Sequence, residues 1–201
     1  MSPQPCPAVD LSFAAFSTQT LPADHGYALL GALSRLIPLL HEASGIAVHP
    51  IVGRIVVHRR LRLCRWSDVR LRVSPDQIPM CITLAGQQLD VDGTLVRLGV
   101  PQVLPLQPSR DIACRLAVIK GYMDPPEFAG AVRRQLDKIG VSRAVGFHVQ
   151  QRRTLRIKDK QIVGFGLHLL GLAPNESLDL QIGGIGGRRH MGCGVFRPIS
   201  L

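Results

Sequence analysis

Two stretches hold residue types able to act on a phosphate. The first is Gly183-Gly184-Ile185-Gly186-Gly187-Arg188-Arg189-His190-Met191-Gly192-Cys193-Gly194, in which six of twelve residues are glycine. Glycine tolerates positive φ and has no Cβ, so such a loop can bring backbone N–H groups close to an anion. Arg188, Arg189 and His190 add side-chain donors at the same place. The polar filler expected of a flexible linker is missing, so the loop reads as a phosphate-binding element. The second stretch is Asp24-His25-Gly26. With Asp24 as N-cap, His25 falls in the first turn of a helix, whose positive end disfavours imidazolium and leaves a neutral ring usable as a base. An ordinary surface histidine fits the same residues, and the residues alone leave both readings open.

The kind of phosphate ligand is narrower. A Walker loop needs Gly-x-x-x-x-Gly-Lys-[Ser/Thr], whereas Gly187 and Gly192 are followed by Cys193-Gly194. A dinucleotide fingerprint must open a helix inside a βαβ unit, and only seven residues follow Gly194. A polyanion lying across the loop is what remains. Arg152, Arg153, Arg156, Lys158 and Lys160 crowd one predicted hairpin, which beside the loop would make a continuous basic surface. Arg133, Arg134 and Lys138 on a helix could extend it; a solvated hairpin fits the first group equally well, and an ordinary solvent face fits the second. The remaining histidines (His41, His49, His58, His148 and His168) show no zinc spacing and no accompanying Cys or acidic cluster, so no metal and no cofactor are expected.

Composition agrees with a polyanionic partner. Lys plus Arg number 24 against 14 Asp plus Glu, a net charge of +10 that is mostly arginine and suits bidentate phosphate contact. Nucleic acid is the leading partner and an anionic membrane the second. Aromatic residues make up only 4%, which argues against a binder built mainly on base stacking. Hydrophobic residues are 46% of the 201, enough for a real core. Five scattered cysteines (Cys6, Cys64, Cys81, Cys114 and Cys193) read as reduced thiols. With no signal-peptide pattern and no run of 18 apolar residues, a soluble cytoplasmic protein without membrane attachment is expected.

The elements that must position these groups follow from periodicity. Val9, Leu11, Phe13 and Ala15 alternate as a strand, and a helix from His25 carries Leu29, Leu30, Leu33, Leu36, Ile37 and Leu40, divided or kinked at Pro38. Strands are predicted over 54–64 and 69–73, a short helix over 75–84, and a hairpin over 87–98 turning at Asp92-Gly93. Pro101, Pro105 and Pro108 read as a connector. The pattern then restarts: a strand over 112–120, a helix from Pro125 to Ile139 capped by Gly140, a long hairpin over 145–172, a helix over 175–182, the Gly-rich loop and a strand over 193–197. Both halves give βαββαβ, an α+β chain of tandem ferredoxin-like (RRM-like) domains over residues 1–100 and 101–201.

The chain resembles the CRISPR repeat-processing endoribonucleases of the RAMP superfamily, and within them the subgroup first named for myxobacterial systems. The resemblance is carried by Val9-Asp10-Leu11-Ser12-Phe13, by Leu21-Pro22-Ala23-Asp24-His25-Gly26-Tyr27-Ala28-Leu29, by Leu84-Ala85-Gly86, and by Leu180-Gln181 through Gly194-Val195-Phe196. It implies two ferredoxin-like domains and metal-independent cleavage of a CRISPR repeat RNA to mature crRNA. It further implies that His25 serves as general acid or base, with Tyr27 and Arg189 as candidates for a second group. The RNA-binding set it suggests is the basic hairpin together with Gly183, Gly184, Gly186, Gly187, Arg188, Arg189, His190, Gly192 and Gly194. Its partners would be the repeat stem-loop and other subunits of a CRISPR effector complex. Two rivals stand beside it: a non-cleaving RAMP subunit that only holds crRNA, and an unrelated protein with two RRM-like domains, weakened by the lack of RNP-like aromatic strands.

Overall fold

The structure is a computed structural model that describes residues 8–41 and 45–199. The chain divides into two compact units, residues 1–105 and 106–201.

In the first unit, β1 (Val9–Phe16) alternates as its sequence requires, burying Leu11, Phe13 and Ala15. β2 (Thr20–Pro22) leads to α1 (Gly26–Leu36), which buries Leu29, Leu30, Ala32 and Leu33. The helix stops where Pro38 disfavours helical geometry at the preceding Ile37, and a 3-10 turn follows over Pro38–His41. Then come β3 (Ala47–Val48), β4 (Arg54–Val56), β5 (Arg60–Arg62) and β6 (Asp68–Val73). Three consecutive helical turns span Pro75–Gln77, α2 (Ile78–Cys81) and Ile82–Leu84; β7 (Gln88–Val91) and β8 (Thr94–Pro105) close the unit. The turn between them holds Asp92 at φ 54° and Gly93 at φ 77°, the pair of positive φ values that a two-residue hairpin needs. The sheet order β3-β6-β1-β8-β7 is the ferredoxin-like arrangement with one extra edge strand.

Two expectations need correcting here. The arginine-rich run over 54–64 is not the second strand of the main sheet; two-residue β3 takes that place. The run instead folds back on itself as β4 and β5 and, with β2, forms a separate three-stranded sheet. The prolines at 101 and 105 are likewise no connector, for β8 continues through both and pairs Pro101 with Phe13 and Pro105 with Val9. Proline is tolerated because β7 pairs only with residues 94–97, so beyond Leu98 one side of β8 is an edge that needs no N–H.

The second unit runs β9 (Ile112–Ala117), α3 (Pro125–Ile139), β10 (Gly146–Ile157), β11 (Lys160–Leu170), α4 (Pro174–Gly183) and β12 (Arg197–Pro198), with sheet order β10-β11-β9-β12. It is again ferredoxin-like. Phe128, Val132 and Leu136 of α3 lie on the sheet against Phe165, Leu167 and Leu169, and the Phe128 and Phe165 rings meet at 4.8 Å. Gly140 ends α3 at φ 89°, as its position predicts. The final strand is shorter than the 193–197 expected: Val195 and Phe196 are buried, but only Arg197 and Pro198 pair, with Ala113 and Ile112. Among the described residues no helix is long and apolar enough to cross a membrane.

Candidate nucleic-acid interface

In the second unit the Gly-rich loop, the start of β11, the β9–α3 connection and α3 enclose one cleft of about 660 Å³. Its walls include Lys120, Gln135, Gln161, Gly186, Gly187 and Arg188, and none of the lining residues is acidic. Lys120, Gly187 and Arg188 are exposed. Arg188 stands at φ 65°, a left-handed conformation unusual for a side-chain-bearing residue, at the turn where the loop reverses. The lining is mixed: Lys120, Arg188 and the two amides stand among Val118, Ile119, Met123, Ile162 and Val163, with no carboxylate.

The loop's glycines are used differently from the expectation. Rather than facing an anion, its amides are largely turned inward. Gly184 donates to the Leu180 carbonyl, Gly186 to Gln135 Oε1 at 2.8 Å, Gly187 to the Val118 carbonyl and Gly194 to the Leu116 carbonyl at 2.7 Å. The Met191, Gly192 and Cys193 amides close turns on Arg188 and Arg189. Gly184, Gly192 and Gly194 are buried, so among the glycines only Gly183 and Gly187 are open to a ligand and Gly186 is half-buried. A Cβ on Gly186 would sit 2.2 Å from the Val118 carbonyl oxygen, at φ 77°. The loop needs glycine chiefly to lie against β9. Gly186→Val is therefore expected to destabilise the fold by roughly 2–5 kcal/mol, combining overpacking with a left-handed φ; thermal denaturation checks this. Gly187, with open space where its Cβ would be, is the position for testing RNA contact in a folded protein.

Of the loop's basic residues, Arg188 alone is fully exposed. Arg189 folds inward, its Nε and Nη2 shut from solvent, and its Nε lies 3.0 Å from where a Gly184 Cβ would be. His190 is half-buried in a 3-10 turn, Arg189–Met191. The hairpin's cations do reach solvent, with Arg152, Arg153, Arg156, Lys158 and Lys160 all exposed. They do not share one face. Arg152 pairs with the core residue Phe165 and Arg156 with Gln161 of the cleft, whereas Arg153 pairs with Gly164. Directly paired residues project from the same side of a sheet, so Arg152 and Arg156 belong with the cleft. Arg153 lines a second hollow on the other side, with Arg115 and His168.

Sequence reasoning missed Lys120, Gln135 and Gln161, which carry no local pattern and become neighbours only when the second unit folds. The structure also places His25 differently from the sequence reading, which put it inside the first turn behind an Asp24 cap. His25 is the N-cap residue of α1, Asp24 lies outside the helix, and no side-chain cap bond is made. The imidazole is only 2% exposed. Nδ1 lies 2.9 Å from the Pro22 carbonyl and Nε2 accepts the Ile51 N–H at 3.0 Å. Those partners fix a neutral ring with its proton on Nδ1. Both ring nitrogens are thus engaged with the backbone at the start of α1. Tyr27, half-buried on α1, sits beside a shallow hollow with Arg35 and Asp90.

Comparison with known proteins fixes the lineage. A family model described as Cas6 Crispr matches residues 9–200. The chain belongs to the Cas6 family. It is 39% identical to the CRISPR-associated endonuclease Cas6 of Myxococcus xanthus (strain DK1622) over 178 residues, 89% of this chain and 76% of that protein. Among solved structures, a CRISPR-associated protein Cas6 superposes with a TM-score of 0.66 at 13% identity, covering 96% of this chain and all of the other. A Cas6-related protein from Pyrococcus furiosus gives 0.64 at 12%, covering 96% and 98%. The CRISPR endoribonuclease Cse3 bound to a 19-nucleotide RNA gives 0.55 at 15%, covering 95% and 98%. At these identities the structures speak for the fold, which this Cas6-family chain shares over 95–96% of its length.

Proposed function

We propose that this chain is an endoribonuclease that binds CRISPR repeat RNA across the cleft and hairpin of its second unit and cuts it to mature crRNA. The observation that carries the reading is membership of the Cas6 family along residues 9–200, together with a cleft that bears Lys120 and Arg188 and is free of carboxylates. RNA supplies its own nucleophile. The ribose 2′-OH attacks the adjacent phosphorus in line, the 5′ oxygen leaves, and the products end in a 2′,3′-cyclic phosphate and a 5′-OH. Arg188 and Lys120, both lining the cleft, would stabilise the charge that grows on the phosphoryl oxygens. This route needs no metal.

Proton transfer contributes roughly 10²–10⁴-fold in such reactions. His25, held by two backbone bonds, is proposed here as a positioning residue that ties the start of α1 to Ile51. His190, two residues from Arg188, and His41, which ends the 3-10 turn after α1, are the histidines to substitute next. Affinity provides the test of the surface. For every phosphate that the protein no longer neutralises, the slope of log K against log salt should flatten by about 0.7–0.9. Arg152→Ala with Arg156→Ala is expected to flatten the slope for repeat RNA by about 1–2. An unchanged slope in the double variant would remove this hairpin face from the interface.

A further inference from the structure

The first unit carries a separate hollow, of about 650 Å³, on the face of its sheet opposite α1. A row crosses three adjacent strands there: Phe16 on β1 pairs with Arg97 on β8, and Arg97 pairs with Gln88 on β7. Paired residues project from one side of a sheet at spacings of about 4.8 Å, so aromatic ring, guanidinium and amide stand side by side. Phe16 is 53% exposed although it is a large apolar residue on a central strand. Its ring edge comes within 3.5 Å of where a Gly99 Cβ would be, so Gly99 leaves room for the ring to lie over the sheet. Leu95, 50% exposed, extends the apolar floor. The rim is polar and basic: Gln19 from the β1–β2 turn and Arg65 from the segment after β5. No acidic residue lines the hollow.

We infer that this hollow binds an unpaired ribonucleotide of the RNA, its base stacked on Phe16 and its phosphates held by Arg65 and Arg97. Each component has a matching part. An exposed aromatic face accepts any base, the arginines complement the backbone charge, and the Gln19 and Gln88 amides can bond to base edges in either polarity. A duplex offers no free base face to Phe16, so the site selects single strands. It is distinct from the cleft of the second unit, sharing no residue with it. The inference takes the RNA partner from the proposed function, but not the cleavage reaction.

The experiment is equilibrium binding of the full chain to a fluorescein-labelled ten-nucleotide unstructured RNA, with a hairpin RNA lacking unpaired flanks as the second probe. Base stacking on an aromatic ring contributes roughly 5- to 150-fold per base. Phe16→Ala, truncating an exposed side chain, is expected to weaken the single strand about tenfold. It should leave hairpin binding and hairpin cleavage at wild-type levels. Arg65→Ala with Arg97→Ala should weaken the single strand and lower its salt slope, and an unlabelled duplex of the same length should compete poorly. Equal single-strand binding by wild type and Phe16→Ala, or competition by the duplex as strong as by the single strand, overturns the inference. A wild type that binds the single strand through Phe16 yet never cuts repeat RNA would sink the cleavage reading and leave this site standing. A wild type that cuts while Phe16→Ala binds equally well would do the reverse.

Discussion

Asp10→Ala is expected to cost roughly 3–5 kcal/mol and to leave much of the protein unfolded at physiological temperature. Asp10 and Arg72 face each other across β1 and β6, with Arg72 Nε 2.8 Å from Oδ1 and Nη2 3.0 Å from Oδ2. Arg72 is 1% exposed, and His49 Nε2 lies 3.4 Å from the same carboxylate. Burial by itself would raise the Asp10 carboxyl, but the hydrogen bonds and charges of His49 and Arg72 outweigh it and hold the group well below the ordinary carboxylate range. Removing the carboxylate strands a buried guanidinium, which is why the loss is large. Replacing both partners, Asp10→Leu with Arg72→Met, should recover most of it. The sign of the pH effect follows. A depressed folded-state pKa means the contribution is complete above the ordinary carboxylate range and is lost progressively as pH falls from about 5 toward the depressed folded-state value. Denaturant titrations should show wild type losing more stability than the double variant over that interval.

His25→Ala should damage the protein in a way that separates positioning from proton transfer. It leaves the buried Ile51 N–H and the Pro22 carbonyl without the ring, at about 1–3 kcal/mol for each group stranded. As a pin, His25→Ala lowers Tm, and the cleavage rate per folded molecule retains the wild-type pH profile. As a general base, it would instead lose cleavage by orders of magnitude in a folded protein and change that profile. The measurement is single-turnover cleavage against pH, corrected for the folded fraction.

How far the sequence carried can be read from particular residues. Alternation in β1, the apolar face of α1, Asp92-Gly93 and Gly140 each state local geometry directly, and both ferredoxin-like units follow from them. The 54–64 run misleads because alternating arginines suit any exposed strand, and nothing local says that its partners would be β2 and itself. Pro101 and Pro105 mislead because an unpaired strand edge, a property of the assembled sheet, is what admits them. At the site, the Gly-rich loop and basic hairpin are legible as neighbours. That the glycines face β9, that Arg189 turns inward, and that Lys120 and Gln135 complete the cleft depend on tertiary contacts between residues far apart in the chain. His25 shows the limit most plainly: a histidine at a helix start looks the same in sequence whether its nitrogens meet substrate or the carbonyl of Pro22 and the amide of Ile51.

The most direct measurement is the chemistry of the RNA ends left by the purified chain acting on a CRISPR repeat RNA in EDTA. Attack by the 2′-OH dictates an upstream 2′,3′-cyclic phosphate and a downstream 5′-OH, and a substrate with a 2′-deoxy residue at the cut must survive intact. That is the expected result. A downstream 5′-phosphate, cleavage of the deoxy substrate, or tight binding with no cut at all would contradict it.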